Sequence, residues 1–302
     1  MSSDKPLFKK VLIANDSLLG IDVALSKAAV FEHYSGAEIE VAEVIYDTIA
    51  EEPPTVLPPE QQAQLIEALK AAERNGMAQL VAPYQEHVAS ISAQVLWSKN
   101  SASGILGAST GVDLLIKPVS RHQKLIDRLA TPLDWSLMRS AACPVMISKQ
   151  DWGETKYVVA AVDAADDTHS GLNRRIIETA DDLARMLGCA LHIVAAHPSL
   201  GQSVNELQVA MDYDGIKQDM RDSREKIIRA LVGELDVNPA EISLVEGAPS
   251  TVIPDYANRL AATLTVLGTA ARRGLSQLLI GNTAEGIISE LEGDIVTVRE
   301  PA

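Results

Sequence analysis

Between Leu264 and Ile288 the chain reads LTVLGTAARRGLSQLLIGNTAEGII. A short apolar run, Leu264 to Leu267, stops at Gly268; a segment through Ala271, Arg272, Arg273 and Gly274 then leads to Gly281 and Asn282, where a helical pattern begins. Strand, glycine loop and helix in that order can cradle a phosphate. Glycines let backbone amides approach an anion with no side chain between, and the helix N-terminus adds unpaired N–H groups and a favourable dipole. Glycine-bearing strand-to-helix turns are also common where no ligand binds, so the pattern is a hypothesis until its context is known. Asp163, Asp166 and Asp167 share one loop after another apolar run. Beside a nucleotide they could hold magnesium; three acids after a strand also serve simply as solvated or capping residues.

Other chemistries leave little trace. The pattern GxxxxGK[ST] does not occur, and no cysteines or histidines stand at zinc spacing. His192 and His197 lie five apart in an apolar run, which puts them on opposite faces of a strand and argues against a metal pair. No general base or nucleophile is placed, so an enzyme is not expected; slow nucleotide hydrolysis is the competing reading.

Small aliphatic residues dominate the 47% hydrophobic fraction while aromatics make up only 4%, which suits parallel sheets covered by helices. Lys plus Arg total 26 against 41 Asp plus Glu, a formal net charge of -15 that opposes binding to nucleic acid or an anionic membrane. Two cysteines, Cys143 and Cys189, cannot build a disulfide framework. The start MSSDKPLFKK lacks a signal-peptide apolar stretch, and no run is long enough to cross a bilayer, so a cytoplasmic location is expected.

Strands are expected at Val11–Ala14, Glu38–Ile45, Ile91–Trp97, Val112–Ile116 and Pro144–Ser148. Helices intervene from Ile21, over about Glu60–His87, over Ser101–Ser109 and over Asp134–Arg139. The proline-rich stretch YDTIAEEPPTVLPPEQ reads as a loop. The pattern then begins again: strands at Tyr157–Val162, Leu191–Ala196, Ile242–Val245, Leu264–Leu267 and Ile295–Val298, with helices over Leu172–Leu187 and about Gln218–Glu234 and a helix starting near Pro249.

The halves match each other. Val11–Asp16 aligns with Val158–Asp163 at an offset of 147, and Ile116–Ile147 with Leu267–Val298 at 151. A tandem repeat of one α/β domain follows, with boundaries at 1–149 and 156–302 and a linker at 150–155. Each copy is expected to be a doubly wound domain, with a five-stranded parallel sheet and helices on both faces. Asp163 and the Gly268 loop then face one crevice, where the first and fourth strands meet.

The segments EGAPSTVIPDYA, VLGTAARRGLSQLLIGNTAE and PLDWSLMRSAACPVMISK, with Asp163 and the His197–Pro198 strand end, resemble the universal stress protein family, in particular its tandem bacterial members. The resemblance covers nearly the whole chain and implies a strand order of 3-2-1-4-5. In nucleotide-binding members the loop reads glycine, two residues, glycine, nine residues, glycine, then serine or threonine. Carried over, Gly268 is the first glycine, Ala271 stands in place of the second, Gly281 is the third, and Asn282 replaces the hydroxyl residue, with Thr283 one place later. Asn282 can cap the helix. Asp163 matches the aspartate near the adenine, and His197 and Pro198 match the pair that walls that site. Helix capping is the alternative for Asp163, a buried structural role for His197, and solvation for Arg272 and Arg273, which could otherwise reach phosphates.

The resemblance thus implies a cytoplasmic stress-response regulator that binds ATP, with magnesium, in its second domain only. Ala271 and Asn282 predict affinity that is weakened or lost. A pseudo-dimer that takes no nucleotide, or takes an apolar ligand, is the other reading. In the first domain, Lys117 replaces the first glycine at the offset of 151, Ser120 the second, Ala130 the third and Thr131 the terminal residue, while Pro118 removes an N–H. That copy is expected to have lost its phosphate cradle. The family's pairing through last strands implies an intrachain pseudo-dimer of Pro144–Ser148 with Ile295–Val298, a monomer or homodimer in solution, and a protein partner in signalling.

Overall fold

The computed structural model describes residues 8–16, 20–86, 88, 90–119, 131–154, 156–165, 170–197, 213–269 and 281–300. The chain divides into two compact units, Met1–Asp151 and Trp152–Ala302. The first runs β1 (Lys10–Asn15), α1 (Ile21–Ser35), β2 (Glu38–Ile45), α2 (Pro59–Val81), β3 (Ile91–Trp97), α3 (Ser101–Ala108), β4 (Leu114–Pro118), α4 (Pro132–Ser140) and β5 (Val145–Ser148). The second runs β6 (Tyr157–Val162), α5 (Ser170–Leu187), β7 (Ala190–His197), α6 (Tyr213–Leu235), β8 (Glu241–Glu246), α7 (Pro249–Arg259), β9 (Leu264–Gly268), α8 (Asn282–Glu290) and β10 (Asp294–Val298).

Every strand pair within a unit is parallel. In the first unit β1 lies between β2 and β4, with β3 beyond β2 and β5 beyond β4, the order 3-2-1-4-5. In the second, β6 lies between β7 and β9, flanked by β8 and β10 in the same way. The apolar runs Val11–Asn15 and Val158–Val162 are buried along their whole length because helices cover both faces of each sheet. Proline stands in the first turn of α2, α4 and α7, where its missing N–H leaves no helical bond unmade. The same chemistry shortens α2. Expected to reach His87, it ends at Val81 and tightens into a 3₁₀ turn, Ala82–Tyr84, because Pro83 cannot donate to the preceding turn.

Strand register corrects the alignment of the halves. Val11 pairs with Leu114 and Val158 with Leu264, so the fourth strands correspond at an offset of 150 rather than 151. Helix α4 begins at Pro132 and α8 at Asn282, the same offset. The position of Gly268 is therefore held by Pro118, not Lys117, and that of Gly281 by Thr131; Lys117 corresponds to Leu267. The slip arose because the apolar runs LLI (114–116) and LTVL (264–267) align about equally well one residue apart, and only backbone pairing distinguishes the two.

Candidate functional site

In the second unit the chain leaves β6 toward β7 and leaves β9 in the opposite direction, toward β10. Right-handed crossovers then place α5 and α8 on opposite faces and open a crevice at the carboxyl ends of β6 and β9. A cleft of about 280 Å³ lies there. Its walls are aliphatic, from Leu172 and Ile176 of α5, Ile253 of α7 and Ile287 of α8. Polar groups come from Asp163, Asn173 and Thr283, and backbone from Gly268 and Gly281.

Asp163 follows the last residue of β6. Its Oδ1 accepts the Ala165 N–H at 3.0 Å, closing a tight turn. Asn173 fixes that turn from α5: its Oδ1 accepts the Asp163 N–H at 3.0 Å and its Nδ2 donates to the Asp163 carbonyl. Asn173 is buried and Asp163 exposed, so these bonds anchor the cleft edge to the core from one side. Gly268 ends β9 in close contact with α5, since a Cβ there would stand 2.6 Å from Leu172 Cδ2 and 2.8 Å from Leu172 Cγ. Its lack of a side chain thus lets Leu172 seat against the end of the strand.

Gly281 is the N-cap of α8, and no side chain caps it. A Cβ at Gly281 would meet nothing within 4 Å. Thr283 and Ala284, in the helix's first turn, also line the cleft, so the unpaired N–H groups expected at a helix start lie beside it. Asn282 is the first helical residue, not the cap, which corrects its expected capping role: the helix starts one residue earlier than a capping asparagine requires.

Of the remaining expected residues, His197 ends β7, is buried, and accepts the Gly247 N–H through its carbonyl at 2.9 Å. It is not among the residues lining the cleft, whereas its neighbour Ala196 is, as strand alternation requires. Pro198, Ala271, Arg272 and Gly274 lie outside the described residues, as do Asp166 and Asp167. Sequence reasoning missed Asn173, Leu172 and Ile253. Leu172 and Ile176 had the spacing of a helix core face; Asn173, a polar residue between them, was the available clue.

The matching place in the first unit is built differently. Thr131 caps α4: its Oγ1 accepts the Asp134 N–H at 3.2 Å, and Asp134 Oδ2 accepts the Thr131 N–H at 2.7 Å. Lys117 Nζ donates to Asp16 Oδ1 at 2.9 Å and to the Pro118 carbonyl at 2.6 Å, and lies 3.5 Å from Asp134 Oδ1. Among the described residues no group of carboxylates, histidines and cysteines is arranged to hold a metal, and no helix is long and apolar enough to cross a membrane.

Comparison with known proteins agrees with this architecture. The model of the universal stress protein family matches residues 7–149 and again 155–299. Universal stress protein E of Photorhabdus laumondii is 29% identical over 304 residues, covering 97% of this chain and 95% of that protein. The Escherichia coli K12 protein of the same name is 26% identical over 299 residues, covering 97% and 94%. A functionally unknown protein from Pseudomonas aeruginosa PAO1 has a crystal structure that superposes with a TM-score of 0.71 at 27% identity, over 98% of this chain and 94% of that one. A universal stress protein from Archaeoglobus fulgidus shares the fold at 16% identity, with a TM-score of 0.64 over 97% and 98%. With the family model matched twice, across residues 7–149 and 155–299, and the same strand order in both units, the chain belongs to the universal stress protein family, as a tandem two-domain member.

Proposed function

We propose that the chain is a cytoplasmic stress-response regulator whose second unit binds an adenine nucleotide in the cleft between α5 and α8 and acts by binding, through a protein partner, rather than by turnover. The observation that carries this reading is the uncapped start of α8 at Gly281, facing a crevice whose opposite wall carries the Asp163 turn. An uncapped helix start favours an anion, and aliphatic walls favour a flat ring. Ligand pockets span roughly 300–1,000 Å³, so the cleft of about 280 Å³ suits a nucleoside portion, with phosphates directed toward α8. Magnesium, if bound with the nucleotide, would supply charge neutralisation at its phosphates. Asp163 Oδ2 remains to accept from a hydroxyl of the ligand, since Oδ1 holds the Ala165 N–H.

Native mass spectrometry of the freshly purified full chain, before and after incubation with ATP and magnesium, tests the proposal. One nucleotide per chain is the expected result. Protein that stays empty at millimolar ATP would overturn it, and ADP accumulating with time would reassign the chain as a slow hydrolase. The aliphatic walls favour one other occupant, an apolar small molecule, which would appear in the same spectra as a retained non-nucleotide mass.

A further inference from the structure

Lys117, Asp16 and Asp134 of the first unit correspond to Leu267, Asp163 and Ala284 of the second, three positions that line its cleft. In the first unit these positions hold charge. Lys117 is 1% exposed and Asp134 likewise 1%. The ammonium group meets oxygens of Asp16 and Pro118 at hydrogen-bond distance and pairs with Asp134 Oδ1, an atom that has no hydrogen bond of its own. Three donors thus face three oxygens, one from each of the β1 end, the β4 end and the first turn of α4. The chain beyond β4 also closes in: a Cβ at Gly20, whose φ is 87°, would stand 2.6 Å from the Val119 carbonyl oxygen.

A buried ammonium is tolerated only when its hydrogen bonds and countercharge are supplied, and a buried carboxylate likewise. Asp134 is supplied twice, by the start of α4 through Oδ2 and by Lys117 through Oδ1. We propose that the first unit contains a primary-ammonium site at the place of the second unit's cleft and fills it with its own Lys117, so that this unit is held closed without a diffusible ligand. The proposal does not depend on what the second unit binds.

Hydrogen exchange read by mass spectrometry on the full chain tests it. Lys117→Ala is expected to speed exchange across Pro132–Ser140 by roughly a hundredfold, as loss of one partner from a buried ion pair implies. Adding n-propylammonium, which replaces the missing side chain, should restore most of the protection, whereas tetramethylammonium at equal ionic strength should not. Unchanged exchange in the variant overturns the proposal, as does absence of rescue, or equal rescue by both cations, which would indicate screening instead of a site. If Lys117→Ala does not fold, Lys117→Met combined with Asp134→Asn, which removes charge from both sides, should fold and keep Pro132–Ser140 protected. Failure of that double variant also overturns the proposal.

Discussion

Asn173 shows what one side chain does for the candidate site. Its amide bonds both backbone polar groups of Asp163, so it sets where the Asp163 carboxylate stands. Asn173→Ala leaves the part-buried N–H and C=O of Asp163 without their amide partner and is expected to cost about 1 kcal/mol in urea unfolding, with weakened ligand affinity by calorimetry. Gly268→Ala should cost about 1 kcal/mol and push Leu172 into the cleft, lowering affinity more than stability. Ala271→Gly is expected to raise ATP affinity; unchanged affinity would make that loop purely structural. Asp182 of α5 gives a pH prediction. Burial pushes its pKa up to about 6, against the opposing pull of Arg185 and with a smaller push from Asp181 and Glu178. The folded state thus holds this proton more tightly than the unfolded chain, a contribution present in acid and lost as pH rises through about 6. Asp182→Asn should therefore gain about 1 kcal/mol relative to wild type between pH of about 4 and 8, after allowance for solvent screening, measured by urea unfolding at each pH. At this scale Asp163, Gly268, Gly281 and Thr283 were legible, because strand ends and helix starts leave marks in residue type. Asn173 was legible only as a polar residue beside a core face; the backbone it meets ten residues away was not. At the end of β7 it is Ala196, not His197, that lines the cleft, a choice of strand face that residue type does not record.

Among the elements, α4 and α8 are the same helix with different beginnings. Thr131→Ala removes a capping box and is expected to cost about 1 kcal/mol, seen as lower stability in urea together with faster exchange in α4. Gly281→Ser supplies α8 with the cap it lacks and should add a few tenths of a kcal/mol while reducing anion affinity, because the serine hydroxyl takes the N–H groups a phosphate would use. The elements themselves were largely readable. Buried strands are continuous aliphatic runs, helices repeat every three to four residues, and proline marks where they start or stop. Strand boundaries shifted by one or two residues, while α2 ends six residues before its expected end and α6 begins five before its expected start. The one-residue slip between the halves came from the strands, as aliphatic side chains record burial but not which rung of the ladder they occupy.

For the molecule as a whole, duplication has produced two units with one strand order and two treatments of the same crevice: a capped helix with a lysine bridge in the first, an uncapped helix beside a cleft in the second. This asymmetry was partly visible in the missing glycines of the first half, but its physical content, a buried charge network, depended on the offset that only strand pairing fixes. Isothermal titration of the full chain with ATP should give a stoichiometry of one, and Lys117→Ala should leave that value unchanged.

The tryptophans divide unevenly between the units. Trp97 and Trp135 lie in the first, whereas Trp152 opens the second and donates its indole N–H to Asp294 Oδ2 at 2.7 Å, at the start of β10. With Trp97 and Trp135 changed to phenylalanine, the remaining fluorophore would report on one half of the molecule alone. Its emission should shift to the red when β10 comes away, so the order in which the two halves melt becomes an optical measurement.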